Sequence, residues 1–197
     1  MKLQSTKIGV IGLGYVGLPL AIEFSYKFPV IGFDININRI ADLSNGLDST
    51  NEVDTANLKK ANNIVFTSDM NALKDCNFYI VTVPTPINKN KRPDLGPLIK
   101  ASNLIASFLK KGDVVVYEST VYPGATEEDC VPILEKISGL SLNKDFYCGY
   151  SPERINPGDK THRLPDIQKV TSGSNKQSAD FIDQVYKKII LAGTHKA

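Results

Sequence analysis

The chain has 197 residues, of which 42% are hydrophobic and 22% are charged, and its formal net charge is +2. This composition is typical of a soluble globular protein, and the small net charge gives no argument for nucleic acid or an anionic membrane as a partner. No apolar stretch approaches the roughly 20 residues that span a bilayer. Residues 1–6 lead straight into a predicted strand, which leaves no room for a signal peptide. We therefore predict a single cytoplasmic domain over residues 1–197.

The strongest motif is a glycine-rich turn that joins a predicted strand to a predicted helix. The apolar run 7–11 is typical of a strand buried on both faces, and residues 18–24 predict a helix. Between them lies GLGYVG, residues 12–17, and a second apolar run ends at Asp34, 22 residues beyond Gly12. This order of strand, glycine turn, helix, strand and acid is the context that a dinucleotide-binding motif requires.

Each part of this motif has a physical role in holding a dinucleotide. Gly12 permits the tight exit from the strand, Gly14 lets a pyrophosphate approach the backbone, and Gly17 lets the helix pack closely on the sheet. The helix N-terminus offers N–H groups and a partial positive charge to the phosphates. The Asp34 carboxylate can accept hydrogen bonds from a ribose and would repel a 2′-phosphate, so the motif predicts NAD rather than NADP. The alternative is a glycine turn that only packs.

Apolar runs and amphipathic segments alternate along the rest of the chain. This alternation predicts an α/β fold with a doubly wound, Rossmann-type, mostly parallel sheet in a three-layer αβα arrangement. Further helices are predicted over residues 36–44, 55–60, 97–110, 127–137 and 175–190. Further strands are predicted over residues 64–67, 78–83, 113–117, 146–150 and 169–172.

Polar clusters follow three of these strands at the point where each strand ends. They are Pro-Thr-Pro at 84–86, Glu-Ser-Thr at 118–120 and Ser-Pro-Glu-Arg at 151–154. Ligands of a doubly wound sheet bind beyond the carboxyl ends of its strands, so we expect the three clusters to share one edge. Proline cannot donate to a sheet ladder, and the stiff loop at Pro84 and Thr85 is therefore placed to wall one side of the dinucleotide.

Five polar side chains are candidates for contacts with ligands. Ser119 or Thr120 could hold a nicotinamide ribose or an ordered water, and Glu153 could act as a general base or position a water. Arg154 could meet a substrate oxygen or phosphate. Arg39, five residues beyond the acid of the glycine motif, could lie against the adenine or its ribose. Each residue alone is equally well explained as a capping hydroxyl or a solvated charge; the strand-end residues together favour a site.

The cysteines and histidines do not predict a reactive or metal-binding centre. Cys76, Cys130 and Cys148 are far apart and lack CxxC spacing, which indicates free thiols in a reducing compartment and no structural zinc. His162 and His195 lie in polar contexts, and we predict no catalytic histidine.

Five segments carry a family resemblance in the expected order. They are GLGYVGLPLA (12–21), VPTP (83–86), PDL (93–95), YESTVYPGAT (117–126) and SPERINPGD (151–159). With them the chain resembles the UDP-glucose/GDP-mannose dehydrogenase family, and more narrowly the UDP-N-acetylhexosamine 6-dehydrogenases that make uronic acids for bacterial capsule, Vi-type and O-antigen polysaccharides. Pro157 stands where UDP-glucose dehydrogenases carry a second glutamate, which favours a GlcNAc, GalNAc or ManNAc substrate over glucose.

The resemblance implies a four-electron oxidation at the sugar C6 with two NAD⁺, in which a cysteine captures the aldehyde and water releases the acid. It also implies roles for particular residues. Thr120 would hold a water near the chemistry, and Glu153 would position or activate water for hydrolysis. Arg154 and Ile155 would lie against the nucleotide-sugar. The cofactor would be lined by residues that match the family's positions, namely Tyr15, Val16, Asp34, Arg39, Thr85 and Thr120.

The chain is shorter than members of this family. The central dimerisation region, the C-terminal UDP-binding domain and the nucleophilic cysteine have no counterpart in it, so we expect NAD binding without completion of the reaction. Full-length relatives would be homodimers and this chain a monomer. The alternatives are a UDP-glucose 6-dehydrogenase domain, a stand-alone NAD-binding module without catalysis, and a β-hydroxyacid dehydrogenase, against which the SPER and ESTVYPG segments argue.

Overall fold

A computed structural model describes residues 1–87, 89, 91–154 and 163–197. Its centre is an eight-stranded sheet with the strand order β3-β2-β1-β4-β5-β6-β7-β8. The strands are β1 (Ile8–Ile11), β2 (Val30–Phe33), β3 (Ile64–Thr67), β4 (Phe78–Val81), β5 (Val114–Tyr117), β6 (Tyr147–Tyr150), β7 (Lys169–Gly173) and β8 (Thr194–Lys196).

The first six strands in chain order run parallel, and the order reverses between β1 and β4. β1 pairs with β2 on one side and with β4 on the other, with Ile11 opposite both Phe33 and Val81. A doubly wound sheet opens a crevice beyond its carboxyl ends at such a switch point. β7 pairs antiparallel with β6, with Tyr150 opposite Ser172. The first residue of β7 therefore lies at the same edge as the carboxyl ends of β1 to β6.

Helices cover both faces of the sheet and give it two apolar cores. β1, β4 and β5 are buried along their whole length, as apolar runs covered on both sides must be. Leu18 and Ile182 belong to one core, and Leu98 and Leu134 to the other. The helices are α1 (Gly17–Ser25), α2 (Ile37–Ser44), α3 (Thr55–Lys60), α4 (Gly96–Ala106), α5 (Val131–Ser138) and α6 (Lys176–Tyr186).

The predicted fold class is confirmed, and the differences lie at element ends and in one additional strand. The strand predicted to reach residue 83 ends at Val81, ahead of Pro84. The helix predicted over 127–137 begins as a π-helical turn, Thr126–Cys130, before α5. The helix predicted to reach 190 ends at Tyr186. β8 was not predicted, because its sequence Thr-His-Lys carries no apolar alternation.

The cysteines are buried and chemically quiet. Cys76, Cys130 and Cys148 are all free thiols inside the core that contains Leu98 and Leu134. Burial raises the pKa of Cys76 to about 12 and raises the pKa of the other two. No group of histidine, cysteine and acidic side chains in the described ranges is arranged to hold a metal ion. Within those ranges, likewise, no helix has the length and apolar character to cross a membrane.

Candidate functional site

The glycine turn follows β1 and lies at the switch point of the sheet. Gly12 has a φ of +96°, a left-handed conformation that strains residues with a side chain. A Cβ on Gly17 would lie 1.9 Å from the Gly12 carbonyl oxygen, so only glycine permits this contact between α1 and the turn. At Gly14, in contrast, no atom lies within 4 Å of the position of a Cβ. The turn is therefore closed where the helix packs and open where a pyrophosphate would approach.

Asp34 and α1 complete this part of the site. The Asp34 carboxylate accepts hydrogen bonds from the backbone N–H of Leu13 (2.8 Å) and of Asn36 (2.9 Å). It lies just beyond the carboxyl end of β2, next to the turn. The residue before α1 is Val16, whose aliphatic side chain cannot accept hydrogen bonds from the first N–H groups of the helix. The N–H groups and the positive end of the helix dipole thus face the turn, as an anion site requires.

Arg39 is buried rather than solvated. Only 7% of the residue is exposed, and its Nε donates to the carbonyl oxygen of Leu13 at 2.9 Å. Its guanidinium also forms an ion pair with Asp48 at 2.7 Å and donates to Ser49 at 3.0 Å. The solvated alternative is therefore wrong. Arg39 thus holds the carbonyl of Leu13, the residue whose N–H donates to Asp34, and so it braces the glycine turn.

The loop after β4 forms the next wall of the site. Ser119, at the end of β5, donates its hydroxyl to the Val83 carbonyl oxygen at 2.6 Å and so supports the start of this loop. The hydroxyl oxygen of Thr85 is buried and has no hydrogen-bond partner among the described residues. A buried hydroxyl without a partner costs free energy, which a ligand bond would relieve. Thr120 follows Ser119 and is exposed.

The segment after β6 lies beyond the carboxyl end of the sheet. Ser151 donates its hydroxyl to the Val170 carbonyl oxygen at 2.7 Å. One carboxylate oxygen of Glu153 accepts the N–H of Arg154 at 2.6 Å, and the other is buried. Arg154 itself is exposed. Ile155 and Pro157 lie outside the described residues.

A buried ion pair that we did not predict lies beside this segment. Glu118 and Lys169 are each 1% exposed, and the Lys169 ammonium lies 2.6 Å from the Glu118 carboxylate. Tyr186 donates its hydroxyl to the other oxygen of that carboxylate. Burial raises the pKa of Glu118, against the opposing effect of Lys169 and the hydrogen bond from Tyr186. Glu118 follows β5, whereas Lys169 belongs to β7 and Tyr186 to α6, and no short motif in the sequence could connect them.

The described candidates therefore fall into two groups along one edge of the sheet. The first surrounds the glycine turn and the second lies after β5 and β6. The first contains Gly12, Gly14, Tyr15, Val16, Gly17, Asp34 and Arg39. The second contains Ser119, Thr120, Glu153 and Arg154, with the loop at Pro84 and Thr85 between the groups.

A doubly wound sheet with an open glycine turn and an acid after its second strand defines a dinucleotide-binding domain. Residues 6–190 match the NAD-binding domain of the UDP-glucose/GDP-mannose dehydrogenase family, and the chain belongs to that family. The match covers both groups of candidate residues. It also removes the β-hydroxyacid dehydrogenase alternative.

Two curated relatives and one solved structure show the extent of the similarity. The chain is 63% identical to a UDP-N-acetyl-D-glucosamine 6-dehydrogenase of Pseudomonas aeruginosa and 60% identical to one of Salmonella typhi. Each alignment covers 99% of this chain and 46% of the relative, so the chain spans about half their length. The UDP-D-ManNAc dehydrogenase structure from Pyrococcus horikoshii superposes with a TM-score of 0.90 at 31% identity, over 96% of this chain and 46% of that one.

Proposed function

We propose that this chain is the NAD-binding half of a UDP-N-acetylglucosamine 6-dehydrogenase, which oxidises the C6 alcohol of the sugar to the carboxylate. The observation that supports this proposal is that the chain's sequence identity differs between two groups of relatives. Those named for UDP-N-acetyl-D-glucosamine reach 60% and 63%, whereas the UDP-N-acetyl-D-mannosamine dehydrogenase of Pyrococcus horikoshii reaches 32%. The sequence alone did not distinguish GlcNAc, GalNAc and ManNAc as the sugar of the substrate, and this difference in identity favours GlcNAc.

The glycine turn and Asp34 would bind the adenosine and pyrophosphate part of NAD. NAD⁺, when bound, supplies the hydride acceptor. Tyr15 is 42% exposed beside the turn and is available to a ligand. Thr85 would satisfy its buried hydroxyl by a bond to the cofactor, and the exposed Thr120 would hold the nicotinamide ribose or a water. Tyr15 and Thr120 are exposed, and the Thr85 hydroxyl has no hydrogen-bond partner among the described residues.

Glu153 and Arg154 would serve the sugar end of the site. A carboxylate with one buried oxygen is suited to orienting a water or accepting its proton. The exposed guanidinium of Arg154 is suited to oxygen or phosphate groups of a nucleotide-sugar. Ile155, also proposed to contact the substrate, lies outside the described residues. The chain's own cysteines are buried and their pKa values are raised, and we assign none of them the capture of the aldehyde.

Cofactor choice tests the first part of the proposal. In calorimetric titrations the chain should bind NAD⁺ at least about tenfold more tightly than NADP⁺, because the Asp34 carboxylate repels a 2′-phosphate. Asp34→Asn should narrow that difference, while the matched change Asp42→Asn on α2 should not. Tighter binding of NADP⁺ than of NAD⁺ would contradict the assignment.

A hybrid enzyme tests the substrate. The chain would replace the corresponding half of the Pseudomonas aeruginosa relative, and NADH formation would be followed with UDP-GlcNAc, UDP-ManNAc and UDP-glucose. We expect kcat/KM for UDP-GlcNAc to exceed that for the other two by about tenfold or more, and no turnover by the chain alone. A folded hybrid that binds NAD⁺ but oxidises none of the three would support the alternative of a non-catalytic NAD-binding module.

A further inference from the structure

The buried pair of Glu118 and Lys169 is joined to the segment that carries Glu153. Besides its contact with Glu118, the Lys169 ammonium donates a hydrogen bond to the Pro152 carbonyl oxygen at 3.1 Å. Pro152 immediately precedes Glu153. The ammonium therefore connects the end of β5 to the backbone next to the candidate general base.

Three elements hold this ammonium in place. Lys169 begins β7, and the antiparallel pairing of β7 with β6 brings that first residue to the carboxyl edge of the sheet. Glu118 follows the last residue of β5, and its backbone N–H donates to the Val81 carbonyl oxygen at 2.8 Å. Tyr186, fully buried at the end of α6, holds the remaining oxygen of Glu118. The cation thus has a fixed position relative to the strand ends.

Stability alone does not account for this arrangement. Removing two charges from water costs several kcal/mol in general, and well-packed apolar side chains often serve as well as a buried ion pair. A buried pair is better explained by what its geometry holds in place. Lys169 fixes the Pro152 carbonyl, and Ser151 is fixed independently by its bonds to Val170 and to the Tyr117 carbonyl oxygen at 3.0 Å.

The carboxylate of Glu153 lies within electrostatic range of this pair. Its negative charge contributes to the raised pKa of Glu118 and of Tyr186, although burial is the larger cause for both. Lys169 thus contacts Glu118 and also the backbone of Pro152, the residue before Glu153.

We infer that Lys169 is a positioning residue for Glu153. Its ammonium neutralises Glu118 and anchors the Pro152 carbonyl, and this anchor holds the backbone of Glu153 and Arg154 at the carboxyl edge of the sheet. The inference rests on the proposed role of Glu153 in the dehydrogenase reaction. Glu118 and Tyr186 act with it by fixing the ammonium.

Backbone order parameters from ¹⁵N relaxation of the chain with saturating NAD⁺ test the inference. The deciding variant is Glu118→Gln/Lys169→Met, which leaves no uncompensated buried charge and so guards against simple unfolding. We expect order parameters at Glu153 and Arg154 to fall from about 0.85 to below about 0.6, while those at Val115 and Val116 in β5 stay unchanged. Lys187→Met, which removes an exposed lysine that forms an ion pair with the buried Asp183, is the control and should change neither.

A second readout separates a positioning role from a purely structural one. In the wild-type chain the ¹³C carboxyl resonance of Glu153 should shift on addition of NAD⁺, and in the double variant that shift should be lost although NAD⁺ still binds. Unchanged order parameters at Glu153 and Arg154 in the double variant would overturn the inference. A wild-type Glu153 resonance that ignores NAD⁺ would instead count against the proposed role of Glu153, and the order parameters would still decide whether Lys169 anchors the segment.

Discussion

The two parts of the candidate site are built in different ways. The glycine turn relies on backbone and on missing side chains: a Cβ at Gly17 has no room, and a Cβ at Gly14 would enter open space. The cluster after β5 and β6 relies on side chains, with Lys169 bonded to Glu118, 51 residues away in sequence. A site made of local backbone does not tolerate a side chain at a glycine where the backbone is closely packed, such as Gly17. A site made of a buried charge pair depends on both charges being present, and each kind of dependence can be tested.

The largest effect is expected at the charge pair. Lys169→Met leaves Glu118 buried without its cation and should lower the free energy of unfolding by about 3–5 kcal/mol at pH 8. Burial already raises the pKa of Glu118, and loss of Lys169 raises it further. A carboxyl group whose pKa is raised by folding loses its stabilising contribution as the pH rises through that pKa. The variant should therefore be less impaired at pH 5 than at pH 8, as measured by urea unfolding.

The double variant Glu118→Gln/Lys169→Met is the control for this prediction. It removes both charges and should return to within about 1 kcal/mol of the wild-type stability, with no dependence on pH beyond that of the wild type. If the single variant were equally unstable at both pH values, the loss would come from packing of the lysine stem and not from the uncompensated carboxylate.

The next largest effect is expected at the closed point of the glycine turn. In Gly17→Ala the added methyl group would lie 1.9 Å from the Gly12 carbonyl oxygen and 2.4 Å from the Thr82 hydroxyl. Relief requires α1 to move away from the sheet, which should cost about 3 kcal/mol in urea unfolding without cofactor. A Gly17→Ala chain as stable as the wild type would show that α1 does not pack against the turn in this way.

A smaller loss is expected where a side chain braces that same turn. Arg39→Met removes the hydrogen bond to the Leu13 carbonyl oxygen and the ion pair with Asp48, and should cost about 2 kcal/mol. Burial acts to raise the pKa of Asp48, but hydrogen bonds from Thr50, Val53 and Arg39 lower it overall, so the carboxylate keeps other donors after the change. If Arg39 served only as a cofactor contact, NAD⁺ affinity would fall while stability without NAD⁺ stayed the same.

The same contrast explains how much could be predicted from the sequence. The glycine turn lies within one local stretch, so its spacing and the acid at position 34 were sufficient to predict the cofactor, and the alternation of strands and helices was sufficient to predict the fold. Arg39 could be located but not interpreted, because its partner Asp48 lies in a polar connection without a recognisable pattern. Lys169 and Tyr186 could not be connected to Glu118 at all. Their meeting depends on the antiparallel direction of β7 and on the position of α6, which are properties of the assembled sheet.

The smallest effect on stability, and the sharpest test of the turn's function, is expected at Gly14. No atom lies within 4 Å of its Cβ position, and its φ is outside the left-handed region, so Gly14→Ala should leave the free energy of unfolding within about 1 kcal/mol of the wild type. The methyl group would, however, occupy the space into which a pyrophosphate must come, and NAD⁺ affinity should fall about tenfold by calorimetry. Together with Gly17→Ala, this variant separates the two uses of glycine in one turn. Undiminished NAD⁺ affinity in Gly14→Ala would mean that the open side of the turn is not where the phosphates bind, and the cofactor would then have to be placed by the strand-end cluster instead.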